Sequence, residues 1–192
     1  MTHFADNAAL IIVDVQQGFI ETGYFGGNRN NPDAESNMSQ ILKAWRSSNR
    51  PIFHIKHNST NEKSPLRHEL PGNAIKPEVA PEGDEPVIEK SVNSAFIGTD
   101  LEQRLKDASI NEVVIVGLTT NHCVSTTTRM AGNLGFKTYL VGDATATFDR
   151  TGLDGTVYPA QQVHDTELAN LNDEFATVIN TAKVLEMANS SD

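Results

Sequence analysis

Cys123 is the only cysteine in the chain, and its position favours a nucleophile. It comes after the apolar run at residues 113–116 and the short segment 117–122, which places it in the first turn of a predicted helix. Unpaired backbone N–H groups at a helix N-terminus favour a negative charge, so we expect a thiolate there to be stabilised. A lone cysteine is more often a small buried residue of the core, and the rest of the chain decides between these interpretations.

Asp14 and Lys90 are the charged residues that can act together with this thiol. Asp14 lies at the end of a predicted strand at residues 8–15, and Lys90 ends another at residues 86–90. A carboxylate beside a thiol can accept its proton, and a nearby ammonium group stabilises both anions. Taken alone, Asp14 is explained as well by a strand-end carboxylate that caps a loop, and Lys90 is explained better by a strand-end lysine that faces solvent. The presence of Asp14, Lys90 and Cys123 together in one chain favours a catalytic group.

The pattern of apolar residues predicts strands that alternate with helices. The predicted strands cover residues 8–15, 51–57, 86–90, 112–118, 136–141 and 176–179. The predicted helices cover residues 32–48, 99–107, 121–133, 159–171 and 182–187. This α/β alternation is typical of a six-stranded parallel sheet with helices on both faces, here in one domain spanning residues 1–192. Ligands of such sheets bind at the carboxyl ends of the strands, where the three reactive residues are expected.

The charge of the chain disfavours nucleic acid and anionic membranes as partners. With 25 acidic and 15 basic residues the formal net charge is −10 at neutral pH. No basic stripe with interleaved aromatic residues opposes this reading, so small molecules or copies of the chain are the expected partners. A single cysteine forms no internal disulfide, and neither a leader peptide nor a membrane span is recognisable. We therefore expect a cytoplasmic protein.

Five motifs along the chain resemble those of one enzyme superfamily. They are Asp14-Val15-Gln16, Glu89-Lys90, Ser94-Ala95-Phe96, residues 117–124 (GLTTNHCV) and residues 142–146 (GDATA). On these motifs the chain resembles the isochorismatase-like cysteine hydrolases, which include nicotinamidases, N-carbamoylsarcosine amidases and isochorismatases. The resemblance extends over nearly the whole chain, and the last two motifs are its most specific part.

The resemblance implies a three-layer, Rossmann-type fold with a catalytic triad of Asp14, Lys90 and Cys123. It also implies a homo-oligomer, either a dimer or a tetramer, and a cis peptide bond between Leu118 and Thr119 that turns the Thr119 N–H toward the substrate carbonyl. Together with the N–H of Cys123, this group would form an oxyanion hole. Each donor of that kind contributes about 3 kcal/mol to the stability of the transition state.

The activity expected from the resemblance is hydrolysis of an amide-type C–N bond in a small molecule, through a thioester intermediate. Gln16, Phe19, Asn93 and Phe96 lie near the triad in sequence and are predicted to line the substrate pocket. The two phenylalanines fit a position in the core equally well. Residues 58–86 are a long polar segment with five prolines, which is a candidate for a pocket wall or an oligomer contact.

Two other classes of function remain open. An isochorismatase-type enzyme would cleave a vinyl ether with Asp14 as the acid and would need no attacking thiol. A non-catalytic binding protein could use the same fold, because a fold does not determine a function.

The sequence predicts no metal site and no cofactor. Nicotinamidases carry an Asp-x-His motif after the second strand, whereas residues 57–59 here read His-Asn-Ser. His54 and His57 are three residues apart on a strand and would point to opposite faces. The remaining histidines that we weighed, at positions 68, 122 and 164, are too scattered to complete a site. We therefore rank nicotinamide below other small amides as a substrate.

Overall fold

The computed structural model describes residues 3–189, and its strands form two sheets. The strands are β1 (Ala9–Val13), β2 (Ile52–His57), β3 (Val87–Lys90), β4 (Glu112–Leu118), β5 (Lys137–Ala146), β6 (Arg150–Thr151), β7 (Val157–Tyr158) and β8 (Thr177–Ile179). The main sheet has the order β3-β2-β1-β4-β5-β8, and every neighbouring pair in it is parallel. This confirms the predicted six-stranded parallel sheet. Strands β6 and β7 form a separate antiparallel hairpin.

Helices cover both faces of the main sheet, as predicted. They are α1 (Thr22–Phe25), α2 (Ala34–Ser47), α3 (Leu101–Asp107), α4 (Ser125–Asn133), α5 (Ala160–Leu171) and α6 (Thr181–Asn189). Residues of α2 and α6 join the apolar cluster on one face, and residues of α3, α4 and α5 join the cluster on the other. The layers therefore stack as helix, sheet and helix.

Strand β1 explains why the run at the start of the chain is apolar without interruption. Leu10 and Ile12 belong to the apolar cluster on one face of the sheet, and Ala9, Ile11 and Val13 belong to the other. All five residues are buried. A central parallel strand that is covered on both faces needs apolar residues at every position, not at alternate ones.

The ends of several elements differ from the prediction. Strand β5 continues beyond the predicted end at residue 141 to Ala146, with a register shift against β4. The predicted helix at residues 121–133 is instead a π-helical turn, Thr120–Val124, followed by α4. The β6–β7 hairpin, helix α1 and three 3₁₀ turns, Gln17–Ile20, Pro71–Asn73 and Pro77–Val79, were not predicted. The first two and last three residues of the predicted domain lie outside the described residues.

No helix within residues 3–189 has both the length and the apolar character that crossing a membrane requires.

Candidate active site

The strand order reverses between β1 and β4, and the predicted triad lies at that point. Asp14 directly follows β1, Lys90 is the last residue of β3, and Cys123 lies in the turn after β4. Ligands of open parallel sheets bind at the carboxyl ends of the strands where the order reverses, because the connections diverge there and leave a crevice. The topology therefore brings these three residues together although they are far apart in sequence.

A buried ion pair joins Asp14 and Lys90. Lys90 Nζ donates a hydrogen bond to Asp14 Oδ2 at 2.6 Å, and the two side chains are 0% and 1% exposed. Asp14 has a φ of +52°, a left-handed conformation that Asp adopts more readily than most residues. The other carboxylate oxygen, Oδ1, is buried and receives no hydrogen bond from any part of the chain that the structure describes.

The turn that carries Cys123 follows β4 through Gly117, Leu118 and Thr119. Gly117 has a φ of +133°, and a Cβ there would lie 2.1 Å from the carbonyl oxygen of Val13, so only glycine fits. The peptide bond between Leu118 and Thr119 is cis. The N–H groups of residues 122 and 124 then both donate to the Thr119 carbonyl and close the π-helical turn.

The side chain of Cys123 reaches the carboxylate and an imidazole. One side-chain donor atom from each of Asp14, His57 and Cys123 lies within 4.8 Å of the others. The thiol also lies 3.8 Å from Asn93 Oδ1, to which it can donate. The thiol and the Asp14 carboxylate are therefore close neighbours in the site.

Burial raises the pKa of the Cys123 thiol well above its ordinary value, and the charge of Asp14 raises it further. The Lys90 ammonium opposes both effects but is outweighed. Both effects favour the protonated thiol, which is opposite in direction to the predicted stabilisation of a thiolate at a helix N-terminus. Asp14 is the carboxylate that lies beside this thiol.

A cavity of about 300 Å³ opens above the triad. Its apolar wall consists of Phe19, Tyr24, Phe25 and Leu66. Its polar wall consists of His57, Ser59, Ser64, Asn93, Thr119 and His122, and it also exposes atoms of Asp14 and Cys123. The predicted residues Phe19 and Asn93 are thus part of the wall, and so are three residues of the proline-containing segment 58–86.

Gln16 and Phe96 were also predicted to line the pocket, but neither is in the wall of this cavity. Gln16 is fully buried, and its amide bonds the backbone of His57 and the carbonyl of Asn73. Phe96 packs in the core on one face of the sheet, with its ring stacked 6.0 Å from that of Phe136. Proximity in sequence to the triad was a poor guide for both residues.

The sequence of the chain has clear relatives. The isochorismatase domain family matches residues 8–183. The chain belongs to the isochorismatase family of hydrolases. It is 49% identical to the uncharacterized isochorismatase family protein YrdC of Bacillus subtilis, over 94% of this chain and 95% of that protein. It is 27% identical to nicotinamidase 3 of Arabidopsis thaliana, over 92% of this chain and 86% of the nicotinamidase.

Solved structures of the isochorismatase family have the same fold. A candidate hydrolase of this family from Chromobacterium violaceum superposes with a TM-score of 0.92 at 40% identity, and the match covers 98% of this chain and 96% of that one. The similarity extends over almost the full length of both chains, so the two proteins share the whole fold.

The residues of the site do not fit the metal that the resemblance to nicotinamidases would imply. Among the described residues, Asp14, His57 and Cys123 are the one group of three His, Cys, Asp or Glu side chains close enough to share an ion. Lys90 Nζ, however, lies 2.6 Å from Asp14 Oδ2 and 3.2 Å from His57 Nδ1, so an ammonium group already occupies the space between two of these donors. A second cation beside it would be repelled.

Among the cavity residues that were not predicted, His57 is the one that contacts Lys90. It lines the cavity and contacts Lys90, whereas His54 lies elsewhere, with its Nε2 2.8 Å from Glu85. The two histidines were considered only as possible metal ligands. The signal that could have identified His57 is its position as the last residue of β2, at the same sheet edge as the triad.

Proposed function

We propose that the protein is a cysteine hydrolase that cleaves an amide-type C–N bond of a small, uncharged substrate, with Asp14, Lys90 and Cys123 as its catalytic residues. One observation carries the proposal. The thiol lies within 4.8 Å of a buried carboxylate that has one oxygen paired with Lys90 and the other free of hydrogen bonds from the described residues. A carboxylate held in this way is ready to accept the proton of the thiol.

The first half of the reaction forms a thioester. As the sulfur of Cys123 attacks the substrate carbonyl, its proton passes to Asp14 and a tetrahedral oxyanion forms. The C–N bond then breaks, the proton on Asp14 passes to the departing nitrogen, and a neutral amine or ammonia leaves. Lys90 keeps the carboxylate in place and offsets the negative charge that moves between oxygen and sulfur.

The second half of the reaction releases the acyl group. Asp14, again a carboxylate, accepts a proton from a water molecule that attacks the thioester carbonyl. The C–S bond breaks, the proton returns to the sulfur of Cys123, and a carboxylic acid leaves. The N–H groups of Thr119 and Cys123 form the oxyanion hole of this mechanism and stabilise both tetrahedral intermediates.

The cavity favours a small substrate without negative charge. Its volume of about 300 Å³ is at the lower end of the range for ligand pockets. Among the described residues that line it, Asp14 carries a negative charge and none is lysine or arginine. The net charge of −10 would also slow the approach of an anion. Phe19, Tyr24 and Phe25 give the opposite wall an apolar, aromatic surface.

The lack of lysine and arginine among the described residues that line the cavity weakens the isochorismatase alternative. Isochorismate carries two carboxylates, and sites for such groups are usually built with arginine or lysine side chains. The relatives include nicotinamidase 3, whose name denotes action on an amide. Amide hydrolysis is therefore the better supported activity.

A matched panel of amides tests the proposal. Release of ammonia would be measured with benzamide and with 4-carboxybenzamide, which differ by one carboxylate, and with aliphatic amides and ureas. We expect the neutral member of each pair to be the better substrate, and no turnover by Cys123→Ala. Vinyl ether cleavage of isochorismate that survives in Cys123→Ala would instead support the isochorismatase alternative. A wild-type protein that acts on neither class would support the non-catalytic one.

A further inference from the structure

The ammonium group of Lys90 has a second partner besides Asp14. Lys90 Nζ lies 3.2 Å from Nδ1 of His57, which is the last residue of the neighbouring strand β2. An ammonium group can only donate hydrogen bonds, so Nδ1 has to be the acceptor. The imidazole of His57 is therefore neutral in this arrangement, with its proton on Nε2.

Two amide side chains fix the backbone of His57. The N–H of His57 donates to Gln16 Oε1 at 2.9 Å, and its carbonyl accepts from Gln16 Nε2 at 3.0 Å. The same carbonyl also accepts from Asn73 Nδ2 at 3.0 Å. Both amides are buried. The end of β2 is thus held at both backbone polar groups, which specifies the position of the imidazole.

The surroundings of His57 favour its neutral form. Burial lowers the pKa of His57 below its ordinary value of 6.5, and the charge of Lys90 lowers it further. The charge of Asp14 and a hydrogen bond to the backbone of Val92 act in the opposite direction and are outweighed. Three titratable side chains face the imidazole: Lys90 from β3, Asp14 from the end of β1 and Cys123 from the turn after β4.

We propose that His57 is a positioning residue, whose neutral imidazole holds the ammonium of Lys90 against Asp14. The inference rests on the proposed function, because it assigns His57 a part in the same reaction. Without the acceptor at Nδ1, the ammonium is free to turn away from the carboxylate that has to take up and return the thiol proton. Gln16 contributes indirectly, since it fixes the backbone of His57 and does not touch the cavity.

The arrangement predicts an acid limit on turnover. When the pH falls through the pKa of His57, Nδ1 becomes protonated, loses its capacity to accept, and places a second positive charge beside Lys90. Turnover is therefore expected to fall at acid pH, with its midpoint below 6.5 because the pKa of His57 is lowered.

Two substitutions of His57 test the catalytic part of this proposal. His57→Ala removes the acceptor, and His57→Asn keeps a side-chain oxygen close to the position of Nδ1. We expect His57→Ala to reduce kcat about 100-fold with a smaller change in KM, as for a misplaced catalytic group. His57→Asn should recover most of that loss and move the acid limit to lower pH, since asparagine does not titrate. His68→Ala, at an exposed histidine, is the control.

A measurement that needs no turnover separates this proposal from the proposed function. In nitrogen-15 spectra of the intact protein at pH 7, His57 should have an unprotonated Nδ1 and a protonated Nε2, and Lys90→Ala should shift the Nδ1 resonance. If no amide were hydrolysed, the proposed function would fail, and the spectrum would still decide whether His57 holds Lys90. A protonated Nδ1, or wild-type kcat and an unchanged acid limit in His57→Ala, would overturn the inference.

Discussion

Removal of the Asp14 charge should make Cys123 more reactive toward an alkylating agent while it abolishes hydrolysis. In the wild-type protein, burial and the Asp14 carboxylate both raise the pKa of the thiol. Asp14→Asn removes the second effect and keeps the shape of the side chain. The Lys90 ammonium, which lowers the pKa of Cys123, then acts without an opposing carboxylate.

The size of the effect follows from the distance between the two groups. A thiolate and a carboxylate oxygen within 4.8 Å of each other repel by about 3.5 kcal/mol at an effective dielectric constant of about 20. Each 1.36 kcal/mol or so corresponds to one factor of ten in the thiolate population. Allowing for solvent screening at the half-buried thiol, we expect Asp14→Asn to be alkylated about 100-fold faster than the wild type at pH 8.

The assay is the rate of iodoacetamide labelling of Cys123 between pH 6 and 10, followed by intact-protein mass spectrometry. The wild-type rate should rise steadily with pH and reach no plateau near pH 8.5, where an ordinary thiol titrates. Asp84→Asn, at an exposed carboxylate, is the matched control and should label like the wild type. Equal labelling rates in Asp14→Asn and the wild type would refute the electrostatic coupling of the two residues.

Three other predictions concern charge and metal. Lys90→Ala should abolish turnover and lower the free energy of unfolding by about 3–5 kcal/mol in urea titrations, because it leaves the carboxylate of Asp14 buried and unpaired. Burial raises the pKa of Glu35, but hydrogen bonds from Arg29 and Lys76 outweigh it and hold that pKa at about 2. This lowered pKa stabilises the fold above the unfolded-state pKa, so about 3 kcal/mol should be lost as the pH falls from 4.5 to 2, and urea titrations of Glu35→Gln should lack that dependence. Treatment with EDTA should leave ammonia release and the Tm unchanged; a bound zinc, iron or manganese ion lost together with activity would contradict this.

The sequence was sufficient to predict the architecture and the sheet edge at which Asp14, Lys90 and Cys123 lie. Strand β4 has its predicted bounds, and β1 lies within the strand predicted at residues 8–15. Asp14 and Lys90 could be assigned to one sheet edge because parallel strands end there, whatever lies between them in sequence. Predictions of strand bounds and of a shared sheet edge depend only on the local pattern of apolar residues and on sheet topology.

The details of the site depended on contacts between distant parts of the chain. Strand β5 runs on to Ala146 because side chains from outside the sheet cover its irregular stretch: Asn31 donates to the carbonyls of Gly142 and Thr145, and Asn37 donates to that of Asp143. No periodicity in the segment itself signals those bonds. The partners of Gln16 are also remote, so its part in fixing His57 was not visible from its place beside Asp14.

The pKa of the thiol was mispredicted for a similar reason. A helix N-terminus acts through the backbone next to the thiol, whereas the depth of Cys123 and the carboxylate beside it depend on distant parts of the chain. Burial is the largest effect on the thiol and the charge of Asp14 the next, and both come from tertiary structure. The direction of the shift therefore could not be read from the segment around Cys123.

The most direct test of the proposed mechanism is the detection of an acyl group on Cys123. The protein would be mixed with its best amide from the panel, quenched in acid within the first turnover, and examined by intact mass and by peptide mapping. We predict a mass increase equal to the acyl part of the substrate, located on Cys123 and absent from Cys123→Ala. Turnover by Cys123→Ala at the wild-type rate, with no adduct on the wild-type protein, would contradict the account.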